Sequence, residues 1–177
     1  VLHTLGGRSL LDHALNTAQA LDPSQIHVVV GPENESLAEA QTRGALVWHI
    51  QKERLGTGHA VELAMSAVHE PATVLVLYAD MPLVRVDTLR ALCAQAQDDR
   101  VVMLTACPNA ADGFGRIIRD KTGAVTGIVE EADATAKQRA IREVNTGILV
   151  APARRLGQWL AEVGNGNQQG ERYLTDV

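Results

Sequence analysis

Aromatic and cysteine residues are scarce in this sequence. Aromatic side chains make up only 3% of the 177 residues, so the hydrophobic core must be built mainly from Val, Leu, Ile and Ala. The two cysteines, Cys93 and Cys107, have no metal-ligand spacing and lie in apolar surroundings, which favours ordinary packing over a disulfide or a catalytic thiol. This cysteine usage fits a cytoplasmic location.

Two further absences restrict the partners. No run approaches the roughly 20 apolar residues of a membrane span, and no signal peptide opens the chain, so we expect no membrane partner. The net charge of −5 lacks the basic face of a non-specific nucleic-acid binder, so we expect no nucleic-acid partner. Nucleotide binding remains compatible with this charge, because a few local cations or a metal ion can neutralise a triphosphate.

What the sequence does contain is an alternation of helical and strand patterns that suits one domain over residues 1–177. Apolar runs predict strands at 27–31, 46–51, 73–80, 101–106 and 146–151. Helical spacing predicts helices at 10–21, 33–43, 60–68, 86–97 and 152–163. Two strand-like segments flanking 121–123 predict a hairpin. The pattern is typical of an α/β fold, with a mostly parallel sheet, helices on both faces and a late antiparallel insertion.

Candidate site residues follow from the rule that open parallel sheets bind ligands at the carboxyl ends of their strands. Gly56 and Gly58 bracket Thr57 just before a helix, where glycines let backbone amides approach a ligand. A plain strand-to-helix turn explains the same residues equally well.

Asp80 follows the most apolar strand, and an ionised carboxylate there is costly unless it is paired or bound to metal. Its hard oxygen ligands suit Mg²⁺, although a turn or helix-capping aspartate is the alternative. The six histidines form no zinc pattern, and we interpret His49 and His59 as structural. No Gly-x-Ser-x-Gly elbow supports a nucleophilic mechanism.

Six short motifs together carry far more information than any one of them. They are Gln51-x4-Gly56-Thr57-Gly58-His59-Ala60, Leu77-Tyr78-Ala79-Asp80-x-Pro82-Leu83, Gly113-Phe114-Gly115-Arg116-Ile117, Gly127-Ile128-Val129-Glu130, Asn145-Thr146-Gly147-Ile148 and Gly170-Glu171-x-Tyr173-x-Thr175-Asp176. In this order the chain resembles the uridylyltransferase half of the bacterial bifunctional N-acetylglucosamine-1-phosphate uridylyltransferase / glucosamine-1-phosphate acetyltransferase family. The resemblance implies a Rossmann-like nucleotidyltransferase domain that makes a UDP-sugar precursor of the cell wall.

The resemblance also implies roles for individual residues. On the nucleotide side, Gln51 would read the uracil edge, and the remaining contacts would come from Gly56, Thr57, Tyr78 and Ala79. Asp80 would be the catalytic metal ligand and hold Mg²⁺. The N-acetylglucosamine portion would be held by Gly115, Glu130, Asn145, Tyr173 and Thr175. N-acetylglucosamine 1-phosphate would then attack the α-phosphorus of UTP and release pyrophosphate.

The sequence departs from the family pattern at one site residue and in the segments that it contains. Ala79 stands where the family has glycine, and its methyl group could crowd the ligand. The chain opens on Val1 without Met and stops at Val177, so we expect a fragment. The first strand and the glycine-rich phosphate loop would lie upstream. A second metal ligand and a left-handed β-helix acetyltransferase domain, through which the parent would form a homotrimer, would lie downstream.

Two other functions remain open at this point. One is a different sugar-phosphate nucleotidyltransferase of similar fold, which an assay of several nucleoside triphosphates against several sugar 1-phosphates would identify. The other is a non-catalytic regulatory module that has kept the fold and lost the site. A dinucleotide-dependent dehydrogenase is disfavoured, because no Gly-x-Gly-x-x-Gly opens a strand–helix unit.

Overall fold

The computed structural model describes residues 2–40 and 46–177, and it shows an α/β fold. The strands are β1 (Thr4–Leu5), β2 (Arg8–Ser9), β3 (Ile26–Val30), β4 (Leu46–Ile50), β5 (Thr73–Val76), β6 (Val102–Ala106), β7 (Arg116–Arg119), β8 (Val125–Val129) and β9 (Val144–Pro152). The helices are α1 (Leu10–Gln19), α2 (Glu35–Ala40), α3 (Thr57–Met65), α4 (Val86–Cys93), α5 (Ala136–Arg139) and α6 (Ala153–Glu162). Short 3₁₀ turns occupy Pro32–Asn34 and Leu174–Asp176.

The first part of the chain forms a small hairpin and a parallel strand pair. Gly6 and Gly7 both have positive φ angles, which a two-residue hairpin turn between β1 and β2 requires. Ser9 then caps α1, because its hydroxyl accepts a hydrogen bond from the Asp12 amide at 3.0 Å. β3 and β4 pair in parallel, and α1 covers them with Leu11 and Leu15. This confirms the expected parallel strands for residues 26–50.

The larger sheet is built around β9. Its order is β5-β9-β7-β8, and β6 also pairs with β9. β9 runs antiparallel to β5, β6 and β7, so the expectation of a mostly parallel sheet is wrong for this part of the fold. The hairpin β7–β8 reverses the chain before β9, and β9 therefore enters between β5 and β6 from the opposite end. An apolar run in the sequence does not reveal that direction.

β9 contains a bulge where it pairs with β6. The pairing of β6 with β9 jumps from Met103–Leu149 to Thr105–Asn145, so β9 contributes extra residues at 146–148. Gly147 within the bulge has φ +81°, a left-handed conformation that glycine adopts without steric cost. Bulges of this kind are common beside active sites, because they redirect neighbouring side chains.

Three apolar clusters hold the layers together. α6 and α3 pack on one face of the larger sheet around Leu149, Leu156 and Leu160, while α4 packs on the other around Leu89 and Val150. The third cluster joins α1 to β3 and β4. These clusters are aliphatic almost throughout, as the low aromatic content predicts.

The predicted elements match the observed ones with a few exceptions. β5 ends at Val76, earlier than the predicted strand at 73–80, because its partner β9 bulges at that point. The predicted helix at 33–43 is observed as α2, and its last three positions lie outside the described residues. Cys93 and Cys107 are both free; Cys93 packs against an apolar cluster as predicted, whereas Cys107 is exposed. Within the described ranges, no helix combines the length and apolarity that a membrane crossing requires.

Candidate active site

The residues named by the motifs converge at one edge of the fold. A cavity of about 320 Å³ opens there. Its polar lining comes from Tyr78 after β5, Asn145 and Gly147 in β9, and Thr175 near the end of the chain. Apolar lining comes from β6, β8 and Leu174. The loop after β4 adjoins this edge, since the Gly58 amide donates to the Arg172 carbonyl at 2.8 Å.

Gln51 lies directly after β4 and is half-buried. Its backbone amide donates to the Val30 carbonyl at 2.8 Å, which continues the parallel ladder by one residue. Its side-chain nitrogen Nε2 lies 3.0 Å from the Gly56 carbonyl oxygen and 3.1 Å from Nδ1 of His59. Gln51, Gly56 and His59 therefore form one hydrogen-bonded loop at the start of α3.

Gly56 and Gly58 are required by a close backbone approach from the end of the chain. A methyl group placed on Gly56 would lie 2.5 Å from the Arg172 carbonyl oxygen, and one on Gly58 would lie 2.9 Å from it. The Arg172 amide in turn donates to the Leu55 carbonyl at 2.7 Å. The glycines thus admit the segment around Arg172, which is a reason for their presence independent of any ligand.

Thr57 joins the loop after β4 to the cavity. Its hydroxyl oxygen accepts a hydrogen bond from the buried Leu174 amide at 3.0 Å. It also interacts with the side chain of Tyr78, which lines the cavity. The Thr57 hydroxyl is therefore engaged within the protein, and its contact with a nucleotide stays a prediction.

Tyr78 is largely buried between polar groups. Burial raises the pKa of its phenol most strongly, and the hydrogen-bonding interaction with Thr57 lowers it in part. The negative charges of Glu130 and Asp80 raise the pKa further. Tyr78 therefore stays a neutral hydrogen-bonding group, and Glu130 and Asp80 are close enough for their charges to act on its pKa.

Asp80 is exposed in the turn after β5, where the Met81 amide donates to the Tyr78 carbonyl at 3.2 Å. No hydrogen bond or ion pair engages its carboxylate within residues 2–40 and 46–177. In the same ranges no three His, Cys, Asp or Glu side chains are grouped to hold a metal ion. Asp80 therefore offers a single carboxylate. This fits a hard cation such as Mg²⁺, which keeps several waters and binds substrate phosphates.

Ala79 adjoins the other sheet rather than the cavity. It packs against the apolar cluster of α1, β3 and β4. That cluster includes the buried residues Val28 and Val30. The residue that replaces the family's glycine thus contributes to contact between the two sheets, while its effect on a ligand stays a prediction.

The predicted sugar-binding residues form a connected group. The backbone amide of Asn145 donates to the Gly115 carbonyl at 2.8 Å. The side-chain oxygen Oδ1 of Asn145 accepts from the backbone amide of Gly147 at 3.0 Å. The Thr175 hydroxyl donates to Oε1 of Glu130 at 3.0 Å. A methyl group on Gly115 would meet the Glu130 carboxylate at 3.1 Å. These contacts connect Gly115 and Glu130 to Asn145 and Thr175, which line the cavity.

Tyr173 lies beside this group, and its hydroxyl is buried without a hydrogen bond to the residues that the structure describes. Burial raises the pKa of this phenol, and the charges of Asp133 and Glu130 raise it further. A buried hydroxyl without a partner is costly, so this group is suited to a polar ligand.

Three further residues at this edge were not among the predicted site residues, and His59 was interpreted as structural. Arg172 forms an ion pair with Glu62 of α3 and donates to the Val163 carbonyl at 3.2 Å, which ties the end of the chain to α3 and α6. Arg116 is buried and pairs with Glu131 at 2.7 Å, beside Gly115. His59 contacts Gln51. His59 and Arg116 are named positions of the recognised motifs and Arg172 is an unspecified position of the sixth, and neither the motifs nor charge alone reveals their contacts.

Comparison with known proteins gives consistent relatives. The model of the MobA-like NTP transferase domain family matches residues 1–171. Proteins named Bifunctional protein GlmU match all 177 residues, with 49% identity in Alkalilimnicola ehrlichii and 48% in Burkholderia thailandensis. The chain spans 38% and 39% of the lengths of these two relatives. These matches confirm the resemblance that the six motifs indicate.

Solved structures agree on the fold. A UDP-glucose pyrophosphorylase complexed with UDP-glucose superposes with a TM-score of 0.72 at 16% identity, covering 99% of this chain and 75% of that one. A 4-diphosphocytidyl-2C-methyl-D-erythritol synthase from Anaerococcus prevotii superposes with a TM-score of 0.62 at 12% identity, covering 90% and 66%. At such low identity the superpositions show the fold alone, and they confirm the Rossmann-like nucleotidyltransferase architecture.

Proposed function

The chain belongs to the MobA-like NTP transferase domain family, and from this membership together with the six motifs we propose that it transfers a uridylyl group from UTP to N-acetylglucosamine 1-phosphate. The products would be UDP-N-acetylglucosamine, a precursor for cell-wall and lipopolysaccharide synthesis, and pyrophosphate. One observation carries the proposal. The loop of Gln51, the carboxylate of Asp80 and the cavity lined by Tyr78, Asn145 and Thr175 meet at one edge of the fold.

The residues divide the work of binding between the base and the sugar. Gln51 would contact the uracil edge, with Gly56 and Thr57 beside the same nucleotide. Glu130, Asn145 and Thr175 would hold the hydroxyl and acetamido groups of the sugar, with Gly115 and Tyr173 next to them. Carboxylate and amide oxygens accept from sugar hydroxyls, and the Tyr173 hydroxyl gains the partner it otherwise lacks.

The reaction itself needs positioning more than a general base. The sugar phosphate is already an anion, and its oxygen would form a bond to the α-phosphorus of UTP while the bond to the β-phosphate oxygen breaks. Asp80 would hold Mg²⁺, which when bound supplies positive charge that neutralises phosphate oxygens. Tyr78, kept neutral by burial and by its acidic neighbours, would line the site without adding negative charge there.

We also propose that residues 1–177 are part of a longer cytoplasmic protein, since the chain spans only 38–39% of the length of its curated relatives. The free edges of β3 and β5 face no partner strand among the described residues, which is consistent with an additional strand in the parent. A glycine-rich phosphate loop would precede this chain. An acetyltransferase domain of left-handed β-helix would follow and make the parent a homotrimer.

The test is a substrate panel with the full-length parent protein. UTP, CTP, GTP and ATP are each offered with N-acetylglucosamine 1-phosphate, glucose 1-phosphate and glucosamine 1-phosphate, and pyrophosphate release is measured with Mg²⁺. We expect turnover with UTP and N-acetylglucosamine 1-phosphate to exceed every other pair. Preference for CTP or GTP would remove Gln51 from its assigned role, and no transfer with any pair would favour a regulatory module.

A further inference from the structure

We propose that His59 is a positioning residue that fixes the orientation of the Gln51 carboxamide and thereby sets base selectivity. The inference rests on the proposed function, because it places Gln51 at the base edge of the nucleotide. It goes beyond that function by assigning a task to a histidine whose place in the sequence suggests only packing.

The Gly56 carbonyl fixes which end of the amide faces the loop. A carbonyl oxygen can only accept a hydrogen bond, so the group 3.0 Å away must be the amide nitrogen Nε2 of Gln51 and not its oxygen. The Gly56 carbonyl is itself held in place, because its residue adopts φ +101° and packs against the backbone of Arg172. The first amide hydrogen of Gln51 is therefore committed.

His59 accepts the second amide hydrogen. Its Nδ1 atom lies 3.1 Å from the same Nε2 atom of Gln51. Because Nε2 is a donor, Nδ1 must carry a lone pair, so His59 is neutral in this arrangement with its proton on its own Nε2 atom. His59 lies in the first turn of α3, and the helix sets the position of its ring relative to Gln51.

With both hydrogens committed, the only free hydrogen-bonding atom of the Gln51 side chain is the acceptor Oε1. No hydrogen bond to Oε1 comes from the described residues. Uracil presents an N3–H donor that such an acceptor can bind, whereas cytosine presents a lone pair at N3, which Oε1 repels. If the amide were free to rotate, it could present Nε2 instead and accommodate cytosine. Holding the amide is therefore a source of selectivity between the two bases.

A purely structural role for His59 makes a different prediction. A packing residue would change stability, or turnover with all nucleotides together, and would leave the ratio between UTP and CTP unchanged. A positioning role acts through Gln51, so its effect on the ratio must vanish when Gln51 can no longer form the hydrogen bond.

The experiment compares His59→Phe, which removes the acceptor, with His59→Asn, whose amide oxygen can replace Nδ1. The specificity constants kcat/KM for UTP and for CTP are measured in the full-length parent protein. Loss of one orienting hydrogen bond should reduce the UTP-to-CTP ratio about 10-fold in His59→Phe. His59→Asn should retain most of the wild-type ratio. His3→Phe, which changes an exposed histidine elsewhere, is the matched control.

A double-mutant cycle with Gln51→Met separates the two roles. In the Gln51→Met background, His59→Phe should change the ratio no further, because the amide to be positioned is gone. Independent, additive effects would overturn the inference. If His59→Phe does not fold, His59→Met gives the same test, because its flexible apolar side chain can fill the space.

The outcomes also distinguish this inference from the proposed function. If the wild-type protein does not use UTP, the proposed function fails. If the wild-type protein prefers UTP and His59→Phe keeps the same ratio, the proposed function stands and the positioning role is wrong. Calorimetric binding of uridine and cytidine 5′-monophosphates provides the same comparison without turnover.

Discussion

Individual polar groups at the site divide into those bound within the protein and those left for a ligand. Nε2 of Gln51, the Thr57 hydroxyl oxygen and Oδ1 of Asn145 all have partners in the chain. The carboxylate of Asp80 and the hydroxyl of Tyr173 have no hydrogen bond to the described residues. Residues that share a site therefore do different work, because bound groups fix geometry while unbound groups can contact substrate.

Asp80 allows a direct test of the metal role. Asp80→Asn removes the negative charge and keeps the shape, so we expect turnover with UTP to fall about 100-fold or more, as for loss of a major electrostatic group. The residue is exposed, so the free energy of unfolding should change by less than about 0.5 kcal/mol. Initial rates across a Mg²⁺ titration and urea unfolding are the measurements.

Asp98→Asn is the control for that comparison, because Asp98 is an exposed carboxylate that lines a different cavity. It should leave both turnover and stability unchanged. Near-normal Mg²⁺-dependent turnover in Asp80→Asn would remove Asp80 from the mechanism.

Substitution of Gly147 tests its close packing against the Tyr78 ring beside the cavity. A methyl group there would lie 2.5 Å from Cε2 of Tyr78, and the backbone is left-handed at φ +81°. We expect Gly147→Ala to reduce the free energy of unfolding by about 2–4 kcal/mol, from backbone strain and overpacking together. Gly127→Ala in β8 is the matched control, since no atom lies within 4 Å of its added methyl. Equal unfolding midpoints in urea would contradict this packing.

At the level of elements, the site depends on contacts between segments that are distant in the chain. The bulge in β9 brings Gly147 to Tyr78, while the end of the chain packs on the loop after β4 through Arg172. Thr57 links both regions because it accepts from Leu174 and interacts with Tyr78. The loop after β4 and the cavity are therefore connected through Thr57.

The parallel pair β3–β4 contains a histidine pair whose hydrogen bonds require a neutral His27 ring. Oε1 of Gln25 accepts from Nε2 of His27 at 3.0 Å, so Nδ1 of His27 must accept from Nε2 of His49, also at 3.0 Å. A second proton on His27, at Nδ1, would place this N–H opposite the N–H at Nε2 of His49. Burial lowers the pKa of His27 most, and the nearby His49 and His69 lower it further; burial also lowers the pKa of His49.

These lowered pKa values predict acid sensitivity of this strand pair. Below the ordinary histidine pKa of 6.5 the unfolded chain binds more protons than the folded chain, so stability should fall as the pH drops from 6.5 toward the folded-state pKa. His27→Gln should make the stability less dependent on pH in this window. Urea unfolding between pH 5 and pH 8, followed by the fluorescence of nearby Trp48, measures it, and an unchanged slope would contradict the prediction.

For the whole molecule, the described sheets leave the edges of β3 and β5 without partner strands. The structure nevertheless places the loop after β4 next to the cavity lined by Tyr78, Asn145 and Thr175, which are the residues that we propose to bind the base and the sugar. The expected phosphate loop is the main element not represented by any of the six motifs. Turnover should therefore need a longer chain than binding of the base and the sugar does.

We predict that purified residues 1–177 do not form detectable UDP-N-acetylglucosamine, whereas the full-length parent protein does. The reason is the proposed need for an upstream loop to hold the triphosphate. Product formation is measured by chromatography at equal molar concentrations with UTP, N-acetylglucosamine 1-phosphate and Mg²⁺. Product from residues 1–177 above the no-enzyme blank would show that the upstream loop is dispensable.

Much of the architecture could be predicted, because local patterns encode local structure. The strands β3, β4, β6 and β9 and the hairpin β7–β8 follow from apolar runs and turn residues. α5 was missed, although Thr135 and Gln138 form a capping box that a search for that pattern would detect. The direction of β9 was missed for a different reason, since strand orientation depends on how the connections cross the sheet.

The amino-acid sequence by itself determined the α/β class, the order of the elements, the family resemblance and the types of residue available for chemistry. These depend on periodicity and on short motifs, which are properties of neighbouring residues. The tertiary structure alone decided that β9 lies between β5 and β6, that Arg172 reaches the loop after β4, and that His59 contacts the side-chain amide of Gln51. Such contacts depend on packing between distant segments and on hydrogen-bond geometry, which a linear pattern does not specify.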